Sequence, residues 1–493
     1  MIIGIDFDNT IVSYDELIYQ IAIEKNLIQT DHKKIKKDIR DTIRKLPNGE
    51  IQWQEIQAII YGPRMNDASL IPGVEEFLDE CKKRKIKTVI ISHKTEYSNL
   101  NRETNFHRAA SDWLKQNLPN TNYYFEPTRE EKIERIKKEQ CTHFIDDLEE
   151  VFIEPSFPNI KKIMFKPGAK THNLTFSDWH ELRMIIDIPN ITTVTRIYGG
   201  KNSRVYKVKA DKTYCVKLYA DDKRCKKEYN ALTFLAKHTT KVPKIIAAQN
   251  RLTVLEFIEG SSIQKVVDTD VNEAVNFLME LHTTKSQASN EPASEACFSV
   301  SAIIKNIEQR LNRLSSIKEL QTFLAELKTA LKNVSWWCQE ECKKNNIPFE
   351  KDISEEEKTL SPSDFGFHNA IKKQDRITFL DFEHFGIDDP AKMICDFLLH
   401  PAMNLSNEQK KQFTKLIVKR LNIKNIEARI KIVYPLFALK WCTILLNEFL
   451  PNELSRRLHA TENLNKDAIQ KQQLAKAQQL LRQINDEYNK FPY

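Results

Sequence analysis

The chain has 493 residues, 41% of them hydrophobic and 29% charged, which is enough for two or three domains with ordinary cores. Its formal net charge of +7 is small for that length and is spread through mixed-sign runs such as Arg129 to Glu139, which excludes a nucleic-acid-binding stripe and leaves a slight preference for anionic ligands. No basic leader opens the chain and no uninterrupted apolar segment reaches the ~18 residues of a membrane span, so a soluble, cytoplasmic protein without membrane insertion is expected, its nine irregularly spaced cysteines reduced.

Ile2 to Ile5 is a short apolar run that predicts a buried strand. It ends in Asp6-Phe7-Asp8-Asn9-Thr10, where two carboxylates two residues apart can both reach one site beyond the strand. Ser13 to Pro72 carries helical periodicity, with Leu17, Ile21 and Ile23 early and Trp53, Ile56, Ile59 and Ile60 later. Thr88 to Ile91 predicts a second strand that delivers Ser92, with His93 and Lys94 following as candidate phosphate or substrate contacts. Lys132 opens a helical pattern in PTREEKIERI, and Phe144-Ile145-Asp146-Asp147 predicts a strand ending in paired carboxylates. Ligation rich in oxygen suits Mg²⁺ and argues against zinc.

In that order, Asp6 to Thr10, Ser92, Lys132 and Asp146-Asp147 resemble the four motifs of the haloacid dehalogenase-like (HAD) hydrolases, over about residues 1 to 165. The resemblance implies an α/β, Rossmann-like domain at 1–188 with a helical cap inserted at about 13–72. Asp6 would be the nucleophile that forms an aspartyl-phosphate, and Asp8 the general acid and base. Ser92 and Lys132 would bind the phosphoryl group, with Asp6, Asp8, Asp146 and Asp147 at Mg²⁺. An acid at Asp8 points to phosphatases, and a cap of this length implies a small phosphate ester.

Lys166 to Asn190 predicts a last short helix and a linker, with a boundary near residue 188. Arg196 to Lys209 then predicts two strands joined by a loop with Gly199, Gly200 and Ser203, whose backbone amides can cover nucleotide phosphates without forming a P-loop. Tyr214 to Tyr219 is a strand bearing Lys217, and Glu228 lies in the helical pattern KKEYNALTFL. Beyond Val254 to Gly260 the pattern is mostly helical, with amphipathic stretches at Val271 to Leu281, Ile303 to Leu331 and Phe413 to Leu421. Ser361 to Asp396 holds Asp364, then Asn369 five residues later, then an apolar strand Ile377 to Leu380 that delivers Asp381. A phosphoryl-transfer kinase needs these parts: a carboxylate to take a hydroxyl proton, and an amide oxygen and a second carboxylate for the metal at the nucleotide phosphates.

This half resembles the aminoglycoside phosphotransferase and choline kinase families, relatives of the protein kinases, over about residues 192 to 450. The resemblance implies a bilobal, α+β, protein-kinase-like domain at 189–451, followed by a helical extension at 452–493. Lys217, paired with Glu228, would hold the nucleotide phosphates, Val254 to Gly260 would be the adenine hinge, and Asp364 the catalytic base. Asn369 and Asp381 would bind Mg²⁺, Asp396 would buttress the catalytic loop, and ATP or another nucleoside triphosphate would be the donor. Its acceptor would be a hydroxyl of a sugar, amino alcohol or similar metabolite. Glu383 and the lack of an A-P-E segment disfavour a protein kinase. Pro362 and Ser363 depart from the His and Gly common in these families. Two readings of the whole chain result: a bifunctional phosphatase and kinase, or a phosphatase regulated by a catalytically inactive, nucleotide- or metabolite-binding domain.

Overall fold

The computed structural model describes residues 1–98, 100, 103–169, 172–197, 203–460 and 465–493. They form two compact units, Met1–Arg196 with Val208–Lys212, and Ile197–Lys207 with Thr213–Tyr493.

The first unit is built on a parallel sheet. Strand Ile2–Ile5 is flanked by Lys87–His93 and then Tyr123–Glu126 on one side, and by His143–Asp146 and then Lys161–Phe165 on the other. Successive residues such as Val89, Ile90 and Ile91 point to opposite faces yet are all buried, which is why these strands read as continuous apolar runs. Gly4 is required at the centre, because a Cβ there would lie 2.5 Å from the Phe144 ring. The strand order reverses at Ile2–Ile5, so a crevice opens at the carboxyl end of that strand, where Asp6 follows. Helices Asp15–Glu24, Lys36–Ile43 and Gly49–Tyr61 pack on one another through Leu17, Ile21, Ile39, Ile43, Trp53 and Ile56. Their entry and exit are clamped by the antiparallel pair Val12–Ser13 and Ser69–Leu70. Two buried tryptophans satisfy their ring N–H groups on main-chain carbonyls at 2.9 Å, Trp113 on Ala68 and Trp179 on Thr10.

In the second unit, strand Thr213–Tyr219 pairs antiparallel with Leu252–Glu256, which pairs with Ile245–Gln249. Helix Asp222–Leu235 follows Thr213–Tyr219 and buries Glu228 together with Ala231, Leu232 and Leu235. The helical part contains Asp268–Thr284, Val300–Leu314, Gln321–Lys344, Pro390–Leu399, Asn407–Leu421, Ile426–Leu445 and Lys466–Glu487. The amphipathic stretch Ile303 to Leu331 is not one helix: it breaks at Ser315, and Ile317 is extended (φ −89°, ψ 110°). The Ser315-Ser316 pair competes for backbone hydrogen bonds there, while Leu314 and Leu320 stay buried on either side. Ile426–Phe449 is long and apolar enough, by length and composition, to cross a membrane. Most of it is buried against Pro390–Leu399, Lys466–Glu487, Gln321–Lys344 and Val300–Leu314, which makes it the core helix of the unit. The terminal helix Lys466–Glu487 docks on it through Ala477, Leu481 and Ile484.

Two small ladders fix the segment around Asp364. Thr359–Ser361 pairs with Gly386–Asp388, and Ala370–Lys373 pairs with Arg376–Phe379. Phe365, next to Asp364, is wedged among Phe277, Phe379 and Phe397 with ring centroids 5.7, 4.9 and 5.7 Å away. A packed aromatic row therefore sets the height of the Asp364 backbone.

Candidate active sites

In the first unit Ser92 Oγ donates to Asp6 Oδ1 at 2.9 Å, and Lys132 Nζ lies 2.7 Å from both Asp6 Oδ1 and Asp146 Oδ2. Three strand ends and the first turn of helix Arg129–Lys138 thus bring these groups together. A Thr128–Glu131 capping box starts that helix and fixes the position of Lys132. Asp6, Asp146 and Asp147 present oxygens within 4.8 Å of one another. Burial pushes Asp6 up to about 7 against the pull of Lys132, and burial beside Asp6 and Asp146 pushes Asp147 up to about 8. Burial also works against the Lys132 charge, but Asp6 and Asp146 outweigh it and raise its pKa. Carboxylates this crowded take up either protons or a divalent cation, and an all-oxygen donor set fits Mg²⁺.

The Asp8 side chain stands outside that cluster. Lys94 Nζ lies 2.9 Å from its Oδ2, and the Tyr14 hydroxyl donates to its Oδ1. The Lys94 ammonium also sits 4.5 Å over the Tyr61 ring, so the three-helix insertion contributes directly to the surroundings of Asp8. Asn9 takes a left-handed conformation (φ 57°) and turns the chain sharply after Asp8. His93 faces the Pro127 carbonyl at 3.1 Å instead of the acids.

In the second unit Lys217 Nζ lies 2.6 Å from Glu228 Oε2 and 3.1 Å from Asp381 Oδ1. Tyr219 donates its hydroxyl to the same Glu228, and the Phe382 amide donates to Glu228 Oε1 at 3.3 Å. Burial opposes the Lys217 charge, but Asp381 and Glu228 raise its pKa well above the ordinary value; burial pushes Asp381 up to about 6 against the pull of Lys217. The Leu380 amide donates to the Asn369 carbonyl at 2.8 Å, which ties the Asn369 turn to the segment that presents Asp381. Asn369 and Asp381 offer oxygen ligands, again a set that fits Mg²⁺. Val254 to Gly260 supplies Glu256, Phe257, Ile258 and Glu259 to the wall of a cavity of about 610 Å³. Gly199 and Gly200 lie outside the described residues, and Ser203 is buried at the start of strand Ser203–Lys209.

Asp364 is held in a way the sequence does not announce. His368 Nε2 and His400 Nε2 each lie 3.2 Å from Asp364 Oδ1, and the two rings stack at 3.8 Å with 7° between planes. His400 Nδ1 accepts from the Ala402 amide at 3.2 Å, so its proton is on Nε2 and points at the carboxylate. That tautomer makes His400 a hydrogen-bond donor to Asp364. Burial alone would raise the Asp364 pKa, but the bonds from His368 and His400 hold it well below the carboxylate range. Oδ1 is thereby occupied. Oδ2 has the Asn369 Nδ2 group at 3.4 Å.

The Pro362-Ser363 departure also has a structural account. Ser363 sits at φ 67°, a left-handed position that favours glycine and costs other residues about 1–2 kcal/mol. It is fixed there by its amide on Ser361 Oγ (3.0 Å), its hydroxyl on the Ser294 carbonyl (3.3 Å), and Lys392 Nζ on its Oγ (3.2 Å). Lys392 also lies 2.7 Å from Asp388 and 3.1 Å from Asp396, the residue expected to buttress the loop. Glu383 is bound by Arg224 at 2.5 Å and His384 at 3.2 Å; burial would raise its pKa, yet His384 and Arg224 hold it at about 2. His368 was findable from its spacing of four residues after Asp364. His400, Lys392 and Arg224 come from distant segments and carry no local signal.

Residues 193–409 match the model of the phosphotransferase enzyme family APH. This segment is an APH phosphotransferase domain. Among solved structures, the gentamicin complex of the aminoglycoside phosphotransferase APH(2")-IIa is 16% identical with a TM-score of 0.43, covering 64% of this chain and 97% of that one. Choline kinase from Cryptosporidium parvum Iowa II is 13% identical with a TM-score of 0.42, covering 62% of this chain and 95% of that one. A choline/ethanolamine kinase family protein from Mesorhizobium loti is 15% identical with a TM-score of 0.43, covering 63% of this chain and 96% of that one. No curated protein matches the chain.

Proposed function

We propose that the second unit transfers the terminal phosphoryl group of ATP, or of another nucleoside triphosphate, to a hydroxyl of a small molecule, and that the first unit hydrolyses a small phosphate ester. The observation that carries the first part is the Asp364 carboxylate, with one oxygen taken by two imidazoles and the other meeting only the long 3.4 Å contact from Asn369 Nδ2 described above, inside a segment that matches a phosphotransferase family. Lys217, oriented by Glu228, holds the nucleotide phosphates. Asp364 Oδ2 receives the acceptor proton as the acceptor oxygen bonds to phosphorus, and the bond to the leaving diphosphate breaks with its electron pair.

The convergence of Asp6, Ser92, Lys132 and Asp146 supports the second part. Asp6 attacks phosphorus and Asp8 gives the leaving alcohol its proton. Asp8 then takes a proton from the water that releases phosphate from Asp6, while Ser92 and Lys132 hold the phosphoryl oxygens. Asp6, Asp146 and Asp147 in one unit and Asn369 and Asp381 in the other would hold Mg²⁺, which would supply charge neutralisation for the phosphate. Nine free cysteines suit a reducing compartment such as the cytoplasm.

The test is turnover of ATP with hydroxyl acceptors, and of a panel of phosphate esters, by wild type, Asp6→Asn and Asp364→Asn proteins. The expected result is that Asp6→Asn removes only ester hydrolysis and Asp364→Asn only acceptor-dependent ATP consumption. If Asp364→Asn changes nothing while nucleotide alters ester hydrolysis, the second unit is a regulator and not a kinase.

A further inference from the structure

Asp364 lines a cavity of about 320 Å³ in the second unit, and the same cavity carries a group of cations that nucleotide handling does not use. Arg310, on helix Val300–Leu314, and Lys440, on Ile426–Leu445, have side chains only 6% and 3% exposed. Both turn to Glu295: Arg310 Nη1 lies 2.5 Å from its Oε1 and Lys440 Nζ 3.1 Å from its Oε2. Arg313, one turn along from Arg310 and half exposed, has its Nη2 3.9 Å from the same Glu295 oxygen.

One carboxylate therefore faces three cations. Glu453 also acts on Arg310, and Arg457 on the cavity wall is matched by Glu448. Lys392 also lines the cavity but is committed to Asp388 and Asp396. Burial lowers the Arg310 pKa even though Glu295 is in contact, which is the behaviour of a cation that its neighbours under-compensate. Buried charge in surplus is costly, and an anion entering the cavity offsets that cost. A cationic acceptor docking beside Glu295 would add to the three cations already there.

We propose that the phosphoryl acceptor of the second unit is an anionic alcohol, a hydroxyl compound that already bears a phosphate or carboxylate, whose anion docks on Arg310, Arg313 and Lys440 while its hydroxyl faces Asp364 Oδ2. This rests on the reading of the unit as a phosphotransferase, whereas the anion site by itself does not. The transfer forms the acceptor O–P bond, breaks the bond to the nucleoside diphosphate, and leaves the hydroxyl proton on Asp364.

The experiment uses the full chain with ATP and three matched acceptors: glucose 6-phosphate, glucose and glucosamine. ATP consumption is measured for wild type and Arg313→Gln, with calorimetric binding of glucose 6-phosphate to wild type, Arg313→Gln, Arg310→Gln and Asp364→Asn. Glucose 6-phosphate is expected to be the preferred acceptor, and Arg313→Gln to raise its KM about tenfold, the loss of one charge-assisted contact, while kcat changes less. Preference for glucosamine or glucose, with a KM unmoved by Arg313→Gln, overturns the proposal and leaves the phosphotransferase reading standing. If none of the three supports ATP consumption, hexoses are not the acceptors of this unit. Binding then decides the anion site: glucose 6-phosphate held by Asp364→Asn and lost from Arg313→Gln and Arg310→Gln sustains it, and absence of binding to wild type overturns it.

Discussion

Replacing Lys392 by Met should destabilise the second unit by about 3–5 kcal/mol at pH 8, the cost of leaving a buried carboxylate without its partner. Lys392 is 2% exposed, Asp388 is 0% exposed, and their charged atoms are 2.7 Å apart, so solvent screens the pair little. The pH dependence follows from the direction of each shift. Burial pushes Asp388 up from 3.8 to about 6 against the pull of Lys392. A carboxyl raised on folding stabilises fully below its unfolded pKa, and that contribution is lost as pH rises through the folded value. The difference, 6 − 3.8 = 2.2 units, is worth about 3 kcal/mol at ~1.4 kcal/mol per unit. Lys392 is itself raised above 10.5, with burial opposing and Asp388 and Asp396 prevailing, so its contribution stays complete below that pH and does not vary between pH 5 and 8.

Without Lys392, Asp388 rises further and takes a proton at pH 5, which relieves most of the buried charge. Urea unfolding of wild type and Lys392→Met, followed by far-ultraviolet circular dichroism at pH 5 and pH 8, reads the difference. The expected loss is clearly larger at pH 8. Equal losses at the two pH values, or a loss under about 1 kcal/mol at pH 8, would refute the view that this lysine neutralises Asp388 and Asp396. The same variant also frees Ser363 Oγ, so acceptor phosphorylation should slow even at temperatures where the unit is folded.

Two further outcomes are expected. His400→Phe keeps an aromatic ring beside Trp441, whose ring lies 4.8 Å away, but removes one donor from Asp364. It should lower kcat for acceptor phosphorylation by about 10–100-fold with little change in the nucleotide KM, measured by steady-state kinetics. Millimolar Mg²⁺ should raise the melting temperature of wild type, because it relieves repulsion among Asp6, Asp146 and Asp147, and scanning calorimetry of Asp147→Asn should show a smaller rise.

Much of each centre was legible because the signals are local. A strand followed at once by an acid marks Asp6 and Asp146, an apolar run ending in Ser marks Ser92, and a capped helix start marks Lys132. In the fold these groups lie within hydrogen-bonding distance of one another although Lys132 and Asp6 are 126 positions apart. The pairing of Lys217 with Glu228 was equally readable, since a strand and the helix after it fix their separation. The break at Ser315 was missed because hydrophobic periodicity continues across it through Leu314 and Leu320. The grip of Lys94 and Tyr14 on Asp8 was missed because it depends on how the inserted helices lie over the strand ends.

The sequence by itself determined which residue types stand at strand ends and helix starts, since strand, helix and turn preferences act over a few neighbours. It also carried enough of the spaced Asp364, Asn369 and Asp381 pattern to point to phosphoryl transfer. Only the tertiary structure decided what surrounds those groups. His400 reaches Asp364 from 36 positions away. Arg310 and Thr443, 133 positions apart, meet at 2.8 Å beside Lys440 to make a cation cluster that neither helix has alone. Charge balance at such a point is a sum over elements packed together, and no local pattern along one chain segment contains that sum.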